Sequence, residues 1–220
     1  MKEFLSWVVL ILVGLTLFLL MKKDQDEPIP QVSVERPTFD HLNPVPCEAL
    51  GYSQKYDRLI YEAWKRHAPI ELLHRHCNFR AQIAAESSMN PNAVSSAGAT
   101  GLGQIMETTA KDCYSAGLFG DRVNPRFSLS CSAWIMERNR RVWIATRPVD
   151  CRHNLALAGY ISGSGSIVKA QTIATEQGRS ARCLDDGIAD HLDEAISPEN
   201  AEAVLTYVER INDMEQRMLP

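Results

Sequence analysis

Between Ile83 and Met106 the chain sets one carboxylate, Glu86, just ahead of a loop dense in serine, asparagine, proline and glycine. That placement suits proton transfer. The residues around it, Ala81, Ile83, Ala84 and Ala85, are small and apolar. Pro91 restricts the residue before it, so a helix should end near Met89 or Asn90. Glu86 then lies in the last turn, where the carbonyl end of the helix dipole disfavours further negative charge. Partial burial among alanine and isoleucine pushes the same way, towards a carboxyl that keeps its proton near neutral pH. A general acid needs that property. A lone helix-end glutamate is more often simply solvated, so the residues after it carry the weight. Gly98, Gly101 and Gly103 would let the backbone approach a ligand closely.

Two other clusters hold residue types suited to chemistry. His74 and His76 stand beside Cys77, but two residues two apart do not share a helix face, and no metal site is expected there. The run Glu137-Arg138-Asn139-Arg140-Arg141 reads as the wet side of a helix, with a basic face towards an anionic polymer as the alternative. No cofactor is expected.

The elements that must position Glu86 are helical. Tyr56, Leu59, Ile60, Ala63 and Trp64 repeat at helical spacing and stop before Pro69. The Glu86 helix should run from about 78 to 88, and others over 107–116, 128–146, 154–160, 166–176 and from Pro198 through Ile211. In the 128–146 helix, Cys131, Trp134, Ile135, Val142 and Ala145 form the expected inner face. No alternating strand pattern and no internal repeat stand out, so the fold class is mainly α.

Composition is that of an ordinary globular chain: 220 residues, 45% hydrophobic, 23% charged, net charge −4. Neither the mild acidity nor any basic run points to nucleic acid, and no nucleic-acid partner is expected. Residues 1–21 include a nearly unbroken apolar run from Phe4 to Met21, about long enough to span a bilayer. No small-residue cleavage site follows, so an uncleaved transmembrane signal anchor is expected. Residues 22–46 hold five prolines among polar residues and read as an extended tether. The folded domain is then 47–220.

Cys47, Cys77, Cys113, Cys131, Cys151 and Cys183 all follow the anchor. An even set on that side points to disulfides and to an extracytoplasmic, periplasmic domain on a single-pass membrane protein. Sequence does not choose among the pairings. Joining neighbours in order would stabilise by roughly 3 kcal/mol for each bridge; six buried thiols are the alternative.

The stretch from Glu86 to Ser95, followed by Gly98-Ala99-Thr100-Gly101-Leu102-Gly103-Gln104-Ile105-Met106 and Thr109, resembles the signature of soluble-type lytic transglycosylases. These belong to the lysozyme-like superfamily and are related to goose-type lysozyme. Ala158-Gly159-Tyr160-Ile161-Ser162-Gly163-Ser164-Gly165 and Thr206-Tyr207-Val208-Glu209-Arg210-Ile211 resemble two later family stretches in the right order. Three positions depart from the pattern. Ile161 stands for the usual asparagine, Ala203 for an acidic residue (with Glu202 adjacent), and Gly103 for a common methionine.

The resemblance implies a lysozyme-like helical domain that cleaves peptidoglycan glycan strands between N-acetylmuramic acid and N-acetylglucosamine. Glu86 would be acid and then base, and the product a 1,6-anhydro sugar. It implies that Ser95, Gln104 and Met106 line the sugar site and that Tyr160 and Tyr207 sit near Glu86. The bare residue types leave core packing open for the two tyrosines and for Met106. Two alternatives share the fold. One is a lysozyme-type hydrolase of the same bond. The other is a non-catalytic peptidoglycan-binding component of a secretion apparatus or phage particle. The expected partners are glycan strands, the bacterial inner membrane through the N-terminal helix, and proteins of such a secretion or phage assembly.

Overall fold

The computed structural model describes residues 46–220, and the helix that carries Glu86 is buried near its middle. The expected anchor (1–21) and nearly all of the tether (22–46) lie outside the described residues. Among the described residues no helix is long and apolar enough to cross a membrane.

Helix α1, Asp57–His67, has an acid in its first turn and Lys65, Arg66 and His67 in its last, which complements the helix dipole. Pro69 ends it by forcing Ala68 into an extended conformation. Its inner face carries Trp64, whose indole stacks on Phe79 at 5.2 Å and donates to the Leu72 carbonyl at 2.8 Å. A 3-10 segment, Ile70–Arg75, leads into α2, His76–Ser87. Most of α2 is buried, including the charged Arg80. Burial of an unpaired guanidinium would be prohibitive. Here Nε donates to Asp57 at 2.8 Å and a terminal nitrogen reaches the Glu48 carbonyl at 3.4 Å. The first turn of α1 therefore neutralises the middle of α2.

Beyond the loop come α3, Glu107–Ser115, and α4, Pro125–Arg141. The structure starts α4 earlier than the sequence reading did. Asn124 accepts from the Arg126 and Phe127 amides through its side chain, with Pro125 in the first turn. It also ends α4 earlier. Val142 and Ala145 lie outside the helix and face solvent, while Trp143, Met136 and Asn139 take the inner positions. The 137–141 run is not uniformly wet. Asn139 is buried, and Glu137 draws Arg140 (2.7 Å) and Arg141 (2.8 Å) onto its own nearly buried carboxylate.

Helix α5, Val149–Ser162, begins straight after Pro148 and is longer than expected. It passes through Gly163 into α6, Ser164–Glu176. Irregular turns then lead to the short α7, Leu192–Ala195, and the long α8, Pro198–Met218, capped by Ser197. The periodic pattern broke after Ile211, but α8 continues because Met214, Glu215 and Met218 remain buried. The mainly α expectation holds among the described residues, which all fall in one compact unit.

The cysteines pair as neighbours: Cys47–Cys77, Cys113–Cys131 and Cys151–Cys183. The first ties the chain's entry into the domain to α2, and the second ties α3 to α4. Around that second bridge Ile105, Ala110, Phe127 and Ile135 form a small apolar cluster beside the main core. Tyr160 packs against both clusters.

A buried polar network sets α8 against α2. Asn78 donates to Glu215 at 2.8 Å and to Asn212 at 3.2 Å, and its carbonyl meets His153 Nε2 at 2.7 Å. Arg75 completes it with an ion pair to Glu215. Burial above all, aided by the nearby cations, pushes His153 down to about 3. Its ring is therefore neutral and donates to Asn78. Fully satisfied networks of this kind fix one register between helices. That register decides where Tyr207 falls.

Candidate active site

Glu86 sits in the last turn of α2, as the sequence predicted. The helix breaks directly after it through two left-handed residues, Ser88 (φ 52°) and Met89 (φ 62°). Neither is glycine, so each costs roughly 1 kcal/mol or more. The burial of Met89 and the bond from the Ser88 amide to the Ala84 carbonyl (2.9 Å) hold the break in place. The turn leaves Glu86 half-buried at the edge of the core.

Its partner comes from the other end of the chain. The Tyr207 hydroxyl of α8 donates to Glu86 Oε1 at 2.5 Å. The acid form of Glu86 then carries its proton on Oε2, because Oε1 is already accepting. Burial lifts the carboxyl from 4.5 to about 7. The Tyr207 hydrogen bond and the charge of Arg210 pull only partly in the opposite direction. Near neutral pH such a group both gives and takes a proton readily.

The glycine-rich loop is built by close approaches. Short antiparallel bridges join Val94 to Thr100 and Thr100 to Ile105. Arg122 donates to the Gly98 carbonyl at 2.9 Å and to the Ile105 carbonyl at 3.0 Å, fastening both ends of the loop. Ser128 accepts from the Gly103 amide at 3.0 Å. The Tyr160 hydroxyl donates to the Gly103 carbonyl at 2.7 Å and also meets Ser132 Oγ at 3.0 Å. Any side chain at Gly103 would meet Ser132 Oγ at 1.8 Å. The glycine that replaces the family's methionine is thus matched by Ser132 and Tyr160.

Gly101 has φ +85°, and a Cβ there would lie 2.0 Å from the Arg122 carbonyl. Gly101→Ala should therefore lower stability by about 2–4 kcal/mol. Gly98→Ala has φ +81° but open space around it, and should cost only about 1 kcal/mol. Thermal unfolding of the two variants side by side tests this. Equal losses would mean that backbone angle, not the Arg122 contact, dominates.

The other residues singled out by sequence divide. Gln104, Met106, Tyr160 and Ile161 line one groove of about 250 Å³, with Ile135 and Arg138 opposite. Met106 is 40% exposed, so it is a wall residue and not core filler. Ile161 is 44% exposed, giving the groove an apolar lip where an amide was the family pattern. Gln104 has φ 49°, and its amide nitrogen is spent on the Ala93 (3.2 Å) and Gly101 (3.0 Å) carbonyls, leaving its oxygen for a ligand. Ser95 is turned inward to the loop: its Oγ accepts from the Ala99 amide at 3.1 Å. Ala203 and Glu202 are both exposed on α8. Cys47, His76 and Cys77 cluster closely, but the two sulfurs are bonded to each other and supply no thiolate.

Sequence reasoning missed Gln82. It lies one turn before Glu86 on α2 and is wholly buried. Its amide meets no protein atom in hydrogen-bonding geometry, yet lies close enough to the Tyr207 hydroxyl to favour its ionised form. Larger opposing effects, burial first and then the charge of Glu86, keep Tyr207 protonated and donating. The four-residue spacing to Glu86 was the available signal. A buried amide there reads as an unremarkable helix residue until α8 is in position.

Among protein families, the one described as transglycosylase SLT domain matches residues 77–182. Among solved structures, the 70 kDa soluble lytic transglycosylase SLT70 from Escherichia coli is similar, at 17% identity and a TM-score of 0.48. That similarity covers 71% of this chain and 23% of that one, so the chain corresponds to under a quarter of its length. No curated protein matches the chain.

Proposed function

With residues 77–182 belonging to the transglycosylase SLT domain family, we propose that this protein cleaves the glycan strand of peptidoglycan between N-acetylmuramic acid and N-acetylglucosamine, leaving a 1,6-anhydromuramoyl end. The observation that carries this reading is the half-buried Glu86 carboxyl, raised to about 7 and held by Tyr207, with Tyr160, which lines the groove together with Gln104 and Met106, close enough to feel its charge.

In the first step Glu86 protonates the bridging oxygen as the bond from the muramic C1 breaks, and Glu86 is left as carboxylate. In the second, that carboxylate takes the proton of the sugar's own 6-hydroxyl while O6 bonds to C1. The acid is regenerated and no water is consumed. The sugar's N-acetyl group can shield C1 between the steps. A single carboxylate suffices for this route, whereas most glycosidases use a pair. The three disulfides support action in an oxidising compartment, and we place the domain on the periplasmic side of the inner membrane, held by residues 1–21.

Product mass is the decisive experiment. Purified oxidised protein on sacculi should release muropeptides one water lighter than the hydrolysed form. Products of full hydrolysed mass would make it a lysozyme-type hydrolase, and binding without release would make it a wall-binding protein. The pH dependence offers a second check. Tyr207→Phe removes a hydrogen bond that favours the Glu86 carboxylate, so the alkaline limb of kcat/KM should move up by about one pH unit. An unmoved limb would show that Tyr207 does not act on Glu86 during turnover.

A further inference from the structure

The segment between α4 and α5 combines two features that a soluble surface normally keeps apart. It exposes large aliphatic side chains in close succession: Ile144 at 91%, Val149 at 43% and Val142 at 42%. Scattered single apolar residues are ordinary on a surface, but grouped ones mark contact sites. Ile144 in particular stands almost wholly in solvent, with nothing of the fold covering it.

The same segment gathers cations without carboxylate partners. Arg147 donates to the Ala181 carbonyl at 3.3 Å and to the Arg182 carbonyl. Arg182 returns a bond to the Thr146 carbonyl at 2.8 Å. These bonds clamp the segment to the strap that the Cys151–Cys183 disulfide fastens to α5. Arg152, next to that disulfide, makes no ion pair among the described residues, and its Nε is buried without a hydrogen-bond partner among them. Arg147 is held below its ordinary value by burial first, and then by the charges of Arg152 and Arg182, which places both of those guanidiniums within the field of Arg147. Three acids of the region are engaged elsewhere: Asp150 binds Arg75 at 2.9 Å, Asp186 accepts from Ser180, and Glu137 holds Arg141. On a chain of net charge −4, such a concentration is not a general effect of composition.

We propose that the 142–149 segment, with Arg147, Arg152 and Arg182, docks onto an anionic phospholipid surface. The guanidiniums match phosphate in geometry and charge, and Ile144 with the two valines would enter the headgroup boundary. A small soluble anion would use the arginines but gives no role to the exposed aliphatics. A glycan strand offers no apolar phase for them. The docking surface is separate from the Glu86 groove and does not depend on the proposed activity. It would hold the catalytic domain at the membrane face in a fixed orientation.

The test uses the full chain in lipid nanodiscs and hydrogen exchange of residues 141–152. Discs containing phosphatidylglycerol should slow exchange in this segment several-fold relative to discs of phosphatidylcholine alone. Ile144→Glu and Arg152→Glu should each remove most of that protection. Among the described residues neither side chain makes a hydrogen bond or ion pair, so thermal unfolding should be unchanged. Equal exchange in the two kinds of disc would overturn the proposal, as would protection that survives both variants. Protection by inorganic phosphate in phosphatidylcholine discs, equal to that by the anionic lipid, would reduce the site to a small-anion site and also overturn it.

Discussion

Glu86→Gln should abolish release of anhydro-muropeptides while leaving the protein folded. Proton transfer by a positioned side chain contributes about 10²- to 10⁴-fold, and the proposed route uses Glu86 in both steps, so the loss should reach at least about 10³-fold. The amide can accept from Tyr207 as the carboxylate does, and it creates no cavity. Stability gives a control with a definite sign. Burial raises the Glu86 carboxyl from 4.5 to about 7, so the folded protein holds a proton that the unfolded chain releases between those values. That contribution is complete below pH 4.5 and is lost as the pH rises through 7. The neutral glutamine never incurs the loss. At pH 8 the variant should therefore be more stable than the native protein by about 1–3 kcal/mol, and the two should converge near pH 4. A variant that melts lower at pH 8 would mean that Glu86 is structural. Retained turnover would remove it from the mechanism.

Reduction of the three disulfides should unfold the domain under conditions where the oxidised protein is stable. The bridges span 30, 18 and 32 residues, each worth about 3–4 kcal/mol by the chain-entropy relation. Their sum is comparable to the whole net stability of a typical domain, about 5–15 kcal/mol. The unfolding midpoint should fall by about 20 °C or more. Cys47–Cys77 anchors the first turn of the Glu86 helix to the chain one residue before Glu48, whose carbonyl receives Arg80. An unmoved midpoint, with six thiols titrated, would show the bridges to be dispensable and would remove the main support for a periplasmic domain.

The α2 helix and its stop were legible because both are local. Pro91 and the small apolar residues before Glu86 act over one or two turns. The α4 boundaries were not, although the Asn124-Pro125 cap was in plain view, because a cap competes with a turn made of the same residues. Val142 and Ala145 continued a helical pattern that the fold does not use. Trp143 takes the inner position, and the helix ends at Arg141. Arg80 and Gln82 were invisible as buried polar residues, since burial follows from which helices surround α2.

What the sequence determined by itself is the Glu86–Met106 stretch with its resemblance, the mainly helical class and an even cysteine set suited to an oxidising compartment. All three rest on residue types and short spacings. Tertiary structure alone decided which cysteines pair, that Ser95 closes its own loop while Met106 faces the groove, and that Gln82 stands behind Tyr207. It also decided the affinity of Glu86 for its proton. That value comes from desolvation and from a hydroxyl 121 residues away, and distant parts of the chain meet only once the whole core has packed.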